Sequence, residues 1–277
     1  MTAVSKTDKW EEPSLHISHS QIFTYLACSL KYKFQYVQKR EPERQSINLL
    51  FGSALHTVLE RYYLKRFVRN EIEQLNVLTE FFEGLMRLEL DFKRLPIIYK
   101  KEMPDADSTV EMGKALIQTF YESVNLDEYQ IVGVEMPLKA ELYDEDGVST
   151  GFLLYGILDL LLMDKNQQCL VVDNKTAAKP KTQKAVDDDL QFSSYAYLMT
   201  ANRFNTRLDT VNCRMDVLRK LKKPKMEYYQ TQRTAEDRKR FAKIATAVLK
   251  GIDNQVFIPN KSWLCSDCQF TRACRTW

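Results

Sequence analysis

The sequence predicts an α/β fold: a mixed β-sheet flanked by helices, preceded by a helical region and followed by a short cysteine-bearing tail. Three observations predict it. Apolar residues recur at helical spacing through most of residues 18–124. The pattern changes to period two between Val134 and Leu142, and two apolar runs follow. Helical spacing then returns near 187–203 and again from Thr234, before three cysteines crowd the C-terminus. Helices before, within and after a set of strands pack most simply on the two faces of one sheet.

Residues 1–14 mix both charge signs without an apolar core, so they read as a flexible tail and not a secretory signal. Ser18 with Gln21 has capping-box spacing and starts a helix running through Ile22, Leu26 and Leu30. Phe51, Leu55, Val58, Leu59 and Tyr62 predict a second helix over about 48–68, and 71–92 reads as a third. Ser108 with Glu111 caps a fourth that ends near Val124. Val134, Met136, Leu138, Ala140 and Leu142 alternate with Glu135, Pro137, Lys139 and Glu141, the pattern of a half-buried strand. Asp144-Glu145-Asp146-Gly147 is a turn. A buried strand is expected from about Phe152 to Met163 and a short one from Leu170 to Asp173. The acidic run Asp187 to Asp189 suits the start of a helix over about 187–203. Strands near 211–218 and 226–232 flank a basic turn, and Thr234 starts a last helix that stops at Gly251. The expected organisation is a tail over 1–14, an N-terminal helical region over 15–128, a core over 129–252 and a cysteine tail over 253–277.

Hydrophobic residues at 44% and scarce Gly and Pro exclude a disordered or fibrous chain. A net charge of only +3 means that any nucleic-acid binding must come from local basic patches. The longest apolar run is broken by Asp159 and is too short to span a bilayer. Six cysteines without a secretory signal read as thiols or metal ligands of a cytoplasmic protein, not as disulfides. No phosphate-binding P-loop motif occurs, so a nucleotide-driven motor is not expected in this chain.

The chemistry concentrates on acidic residues at strand ends. Asp159 sits among aliphatics, where a carboxylate is costly unless paired, hydrogen-bonded or metal-bound. Fourteen residues on, Asp173-Asn174-Lys175 ends an apolar run, and on a strand Asp173 and Lys175 share a face. A strand-end ion pair would explain that spacing as well as a catalytic one. The same D-x-K spacing recurs at Asp91 to Lys93 and at Asp237 to Lys239, but only in helical contexts. Mg²⁺ is held by one or two carboxylates plus substrate phosphate, and a lysine beside them stabilises charge developing on phosphorus. Gly52, His56 and Glu60 fall on one helical face, with Gly52 permitting close approach; a lone helical histidine is commonly structural. Gln191 and Tyr195, four apart, form an ordinary pair by themselves.

Taken together, the order G-x-x-x-H, G-x-x-D, D-x-K-T, Q-x-x-x-Y resembles the PD-(D/E)XK nuclease superfamily, particularly its RecB/AddB-like branch, across residues 15–277. The resemblance implies a restriction-endonuclease-like mixed sheet and phosphodiester hydrolysis in DNA, with a preference for single strands and an exonuclease activity. It implies Mg²⁺ or Mn²⁺ held by His56, Asp159, Asp173 and the backbone carbonyl of Asn174. Lys175 would be the catalytic lysine, Gln191 and Tyr195 the helix motif supporting the site and touching DNA, and Glu135 an accessory acid. Leu158 stands where the family name has its proline.

Cys265-x2-Cys268-x5-Cys274 is a dense ligand triplet that needs a fourth partner, and Cys28 in the first helix is the natural candidate. Cys169 and Cys213 lie in expected strands and read as small buried hydrophobes. Spacing alone leaves zinc and iron–sulfur open; the resemblance implies a 4Fe–4S cluster. Lys222, Lys223 and Lys225 in the basic turn, and Lys179, Lys181 and Lys184 after the D-x-K strand, read either as phosphate contacts or as solvated loop lysines. Unwinding would need a partner helicase. A CRISPR spacer-processing nuclease and a non-catalytic cluster-bearing DNA-binding or redox-sensing protein are the rival readings.

Overall fold

The computed structural model describes residues 15–92, 95–204 and 209–277; the tail over 1–14 lies outside them. The chain enters the sheet before its first helix. β1 (His16–Ser18) leads directly into α1 (His19–Ala27), where the Ser18 hydroxyl accepts from the Gln21 N–H at 3.3 Å. The Gln21 side chain does not reach back to close the box, and its Nε2 lies 3.3 Å from His16 Nε2. α1 ends at Cys28, whose extended backbone (φ −165°, ψ 102°) separates it from α2 (Ser29–Tyr32) and a π-helical turn, Lys33–Val37. The helix expected to run through Leu30 is therefore broken at the cysteine.

β2 (Gln45–Ser46), α3 (Ile47–Arg69), α4 (Leu75–Asp91), β3 (Ile97–Ile98) and α5 (Ala106–Ser123) follow, with β2 and β3 paired in parallel. α5 begins earlier than its Ser108 signal suggests, because the Asp105 carboxylate caps it by accepting from the Ser108 N–H at 2.7 Å. β4 (Tyr129–Tyr143) and β5 (Ser149–Asp164) form a long hairpin, and β6 (Cys169–Ala177) extends past Asp173 to include Lys175. The single helix expected over 187–203 is two, α6 (Gln183–Asp187) and α7 (Leu190–Ala201), because Asp189 is extended and caps α7. β7 (Val211–Arg219) and β8 (Lys225–Arg233) precede α8 (Ala235–Asp253), which Thr234 and Asp237 open with a full capping box. That use of Asp237 explains one of the helical D-x-K copies. α8 runs on through Gly251, where a side chain would collide with the Tyr25 ring of α1. A 3₁₀ turn, Trp263–Asp267, and α9 (Thr271–Arg275) complete the tail.

The main sheet runs β1-β5-β6-β7-β8, with β4 on the other edge of β5. β1 and β7 run parallel to their neighbours β5 and β6, and the other pairs are antiparallel, so the sheet is mixed. α3, α4 and α5 pack on one face against Leu160, Leu162 and Val172. α1, α7 and α8 pack on the other against Leu158, Leu161 and Val171. The alternation read from the sequence slips once. Val134 and Leu160 face α3, whereas Met136 and Leu158 face α7, although residues two apart in a regular strand share a face. The slip falls on Glu135, in the left-handed region at φ 45°, and on Asp159 opposite it in register. No described helix is long and apolar enough to cross a membrane.

A third, small core of Leu30, Phe34 and Phe270 joins the tail to the N-terminal region, with Cys28, Cys268 and Ala273 against it. Arg44 donates to the Cys268 carbonyl at 2.9 Å, and the Glu43 carboxylate accepts from the Arg272 and Ala273 N–H groups at 2.7 and 2.8 Å.

Candidate active site

β4 pairs along the whole of one edge of β5, so β1 and β6 share the other. β1 stops at Tyr155 and β6 leaves at Leu160. Gly156 to Asp159 are thus open on that edge, between the end of β1 and the diverging end of β6. The sequence-predicted residues gather around this gap. Asp173 and Lys175 stand on β6 just past the split, His56 comes from α3, and Gln191 and Tyr195 come from α7. Gly156 is what lets α7 come so near: a Cβ there would lie 2.8 Å from Leu198 Cδ1. Gly52 is different, since a Cβ there would meet nothing within 4 Å, so no contact within the chain explains it.

One wall of the site is a hydrogen-bonded rail. Lys175 Nζ and Gln191 Nε2 donate to Asp173 Oδ1 at 2.8 and 2.9 Å, and Gln191 Nε2 also donates to the Tyr195 hydroxyl at 2.6 Å. Asp173 is 1% exposed. Its second oxygen also lies 2.8 Å from Lys175 Nζ, and the buried Asn174 side-chain oxygen has no hydrogen-bond partner. The Asn174 N–H donates to Asp159 Oδ2 at 2.9 Å, which ties the two diverging strands together. Facing the rail, His56 Nδ1 lies 3.5 Å from Asp159 Oδ2. Ligand atoms of His56, Glu135 and Asp159 all lie within 4.8 Å of one another, the one such group of three among the described residues.

Charge crowding sets the protonation of this cluster. Burial, opposed by Lys175 and reinforced by Asp159, pushes the Asp173 carboxyl up to about 6. Burial alone would lower the Lys175 ammonium, but Asp173 and Asp159 outweigh it and hold its pKa above the ordinary lysine value. Lys175 therefore stays a cation and a hydrogen-bond donor. Burial, with Asp173 and Asp159 nearby, keeps the Tyr195 phenol neutral.

Sequence reasoning underweighted one residue here and missed three. Glu135, an accessory acid by resemblance, stands inside the group of three because its left-handed backbone breaks the alternation of β4 at that point. His19, the first residue of α1, lies near enough to Lys175 and Asp189 to feel both charges; only the register of β1 brings it there. Asp189 caps α7 by accepting from the Gln191 N–H at 2.9 Å, an N-cap spacing visible in the sequence. The buried Arg233 donates to the Val186 and Asp189 carbonyls at 2.9 and 3.1 Å and so fixes the turn that presents Gln191.

The basic residues separate into two kinds. Arg219 and Lys220, where β7 meets the basic turn, are buried: Arg219 pairs with Glu227 and Lys220 donates to Asn48 Oδ1 at 2.6 Å. Lys225 Nζ also pairs with Glu227, at 2.6 Å. Lys222 and Lys223 are exposed at the tip of the β7–β8 hairpin, and Lys179 and Lys181 are exposed after β6. Lys184 pairs with Asp188 at 3.0 Å.

The four cysteines converge from both ends of the chain. Burial raises the Cys274 pKa, and Cys28, Cys268 and Cys265 are close enough to raise it further. The Asn260 and Ser262 N–H groups donate to Cys28 and Cys265 Sγ, each at 3.5 Å. Cys169 and Cys213 are buried in β6 and β7, and burial pushes the Cys213 thiol up to about 12.

The family model of the PD-(D/E)XK nuclease superfamily matches residues 16–275. No curated protein matches the sequence. Among solved structures, one from Eubacterium rectale described as "Putative exonuclease" shares 10% identity, with a TM-score of 0.55 over 100% of this chain and 94% of that one. A second, described as SSO0001, shares 13% identity over 90% of this chain and 94% of that one, at a TM-score of 0.40.

Proposed function

Because the chain belongs to the PD-(D/E)XK nuclease superfamily, and its sheet has the restriction-endonuclease-like arrangement, we propose that it is a metal-dependent DNA nuclease of the RecB/AddB-like branch. The proposal extends to a single-strand-preferring exonuclease. The observation that carries it is the split between β5 and β6, where His56, Glu135 and Asp159 face the rail of Asp173, Lys175 and Gln191.

The donor set fits a hard divalent cation, Mg²⁺ or Mn²⁺. Two carboxylates and an imidazole converge within electrostatic reach of the buried Asp173 carboxylate. His56, Asp159, Asp173 and the Asn174 carbonyl are the proposed ligands, with Glu135 beside them. A bound cation would polarise a phosphate oxygen and lower the pKa of a coordinated water. The rest falls to the chain. Lys175, held cationic, donates to the attacking water and to the charge developing on phosphorus. Gln191 orients Asp173, and Tyr195 holds Gln191. Lys179, Lys181, Lys222 and Lys223 would carry phosphate contacts, with a smaller share for Lys225 because Glu227 already engages it.

We further propose a 4Fe–4S cluster on Cys28, Cys265, Cys268 and Cys274, which converge from both ends of the chain. N–H donors to two of the sulfurs are the contacts that tune such a cluster. Unwinding would fall to a partner helicase.

The test is cleavage of labelled single- and double-stranded DNA by pure protein with Mg²⁺, Mn²⁺ or EDTA. Metal-dependent release of nucleotides from single strands is the expected result. Binding without cleavage in either metal would replace the reading with a non-catalytic DNA-binding protein.

A further inference from the structure

α1 begins where the active site opens. β1 ends at Ser18, paired with Tyr155, so His19 stands beside the open stretch Gly156 to Asp159. From there α1 carries residues 19, 23 and 26 up one face, at helical spacing i, i+4, i+7. The flank of that stripe is taken up by packing, with Ile22 fully buried and Tyr25 against Phe257. The outer part of the stripe is open: Phe23 is 54% and Leu26 47% exposed, while His19 is half-buried. The His19 and Phe23 rings lie 6.2 Å apart between centroids, with their planes inclined by 33°.

A single exposed aromatic on a surface needs no explanation. This pair differs in position and in charge. It starts within electrostatic reach of Lys175. Burial, against the pull of Asp189 and with the push of Lys175, holds the His19 imidazole down to about 4, so it is neutral at pH 7. α1 carries no lysine or arginine, so it offers a phosphate no cation, whereas the exposed Lys179 and Lys181 follow the end of β6. Uncharged π-faces beside a phosphodiester site suit bases and not backbone.

We propose that His19 and Phe23 form a stacking platform for the unpaired bases of a DNA strand whose phosphate lies at Asp159 and Lys175. The inference rests on the nuclease reading and supplies a physical source for its strand preference. Bases in a duplex are already stacked on both faces and cannot lie on α1.

The test measures binding of a fluorescent oligothymidine in EDTA against a baseless tetrahydrofuran strand of the same length. Phe23→Ala should weaken binding of the oligothymidine roughly 5- to 150-fold, the range of one lost base–aromatic stack, and leave the baseless strand unaffected. Phe23→Leu should behave like Phe23→Ala, and Phe23→Trp should bind like the wild type. Equal losses on both strands, or full recovery by Phe23→Leu, would overturn the platform. The nuclease reading fails separately, if wild-type protein leaves the oligothymidine uncut in both Mg²⁺ and Mn²⁺.

Discussion

Replacing Asp173 by asparagine separates catalysis from stability at this site. The carboxylate is 1% exposed and accepts from Lys175 and Gln191. Removing one partner of a fully buried ion pair costs about 3–5 kcal/mol. Here the stranded partner is Lys175, whose side chain is 33% exposed, so water can resolvate it. An exposed pair is worth about 0–1 kcal/mol, and the change also relieves repulsion with Asp159. The amide keeps an oxygen for Gln191 to donate to. The net cost should be about 1 kcal/mol, or roughly 2–4 °C in Tm for a chain of this size. Activity should respond quite differently. The substitution removes a proposed ligand charge and the partner that positions Lys175, two contributions to transition-state charge, each worth about 10²–10³ in kcat. The assays are a thermal melt and a single-turnover cleavage of labelled oligonucleotide with Mn²⁺. A folded variant that cuts within about tenfold of wild type, a barrier change near 1.4 kcal/mol, would refute the role of Asp173. So would a collapse in Tm that accounts for the whole loss.

Cys28→Ser should lose iron, sulfide and brown colour as fully as Cys268→Ser, whereas Cys169→Ser and Cys213→Ser keep them; stoichiometric zinc in anaerobically purified protein would show a different centre. Neutralising Lys222 and Lys223 together should flatten the salt dependence of single-strand binding by about 0.7 of a slope unit per lost phosphate contact, and an unchanged slope would return the hairpin tip to solvent. Glu227→Gln should lower Tm at pH 7 by leaving the buried Arg219 without its counter-charge. Lys225, then Arg219 and Tyr229, hold the Glu227 carboxyl down to about 2, against 4.5 for an ordinary glutamate. The stability it confers is therefore fully present above pH 4.5 and lost as pH falls toward 2. The Tm gap between Glu227→Gln and wild type should close over that window, and a gap constant with pH would remove Glu227 from the account.

Much of the candidate site was legible because its signals are local. Asp173 and Lys175 share a face by strand periodicity, and Gln191 and Tyr195 by helical periodicity, whatever the rest of the chain does. The same holds for the sheet, since alternation and buried runs mark β4, β5 and β6. Cap residues were less secure. Asp105 outcompeted Ser108, and Asp189 split a helix, because neighbouring polar side chains compete for the same N–H groups. The basic turn misled in part. Composition cannot tell that Arg219 and Lys220 fold inward while Lys222 and Lys223 stay in water.

By itself the sequence determined which residues carry chemistry, the element each rides on and the face it occupies, because those follow from covalent spacing and a repeat of two or 3.6 residues. Tertiary structure decided what they meet. It set β1 beside β5, so that His19 reaches Lys175. It slipped the alternation at Glu135 to bring that carboxylate next to Asp159 and His56. It also drew Cys28 to a tail more than two hundred residues away. Contacts of that range depend on closing long loops and on packing both faces of one sheet at once, and no local pattern encodes either.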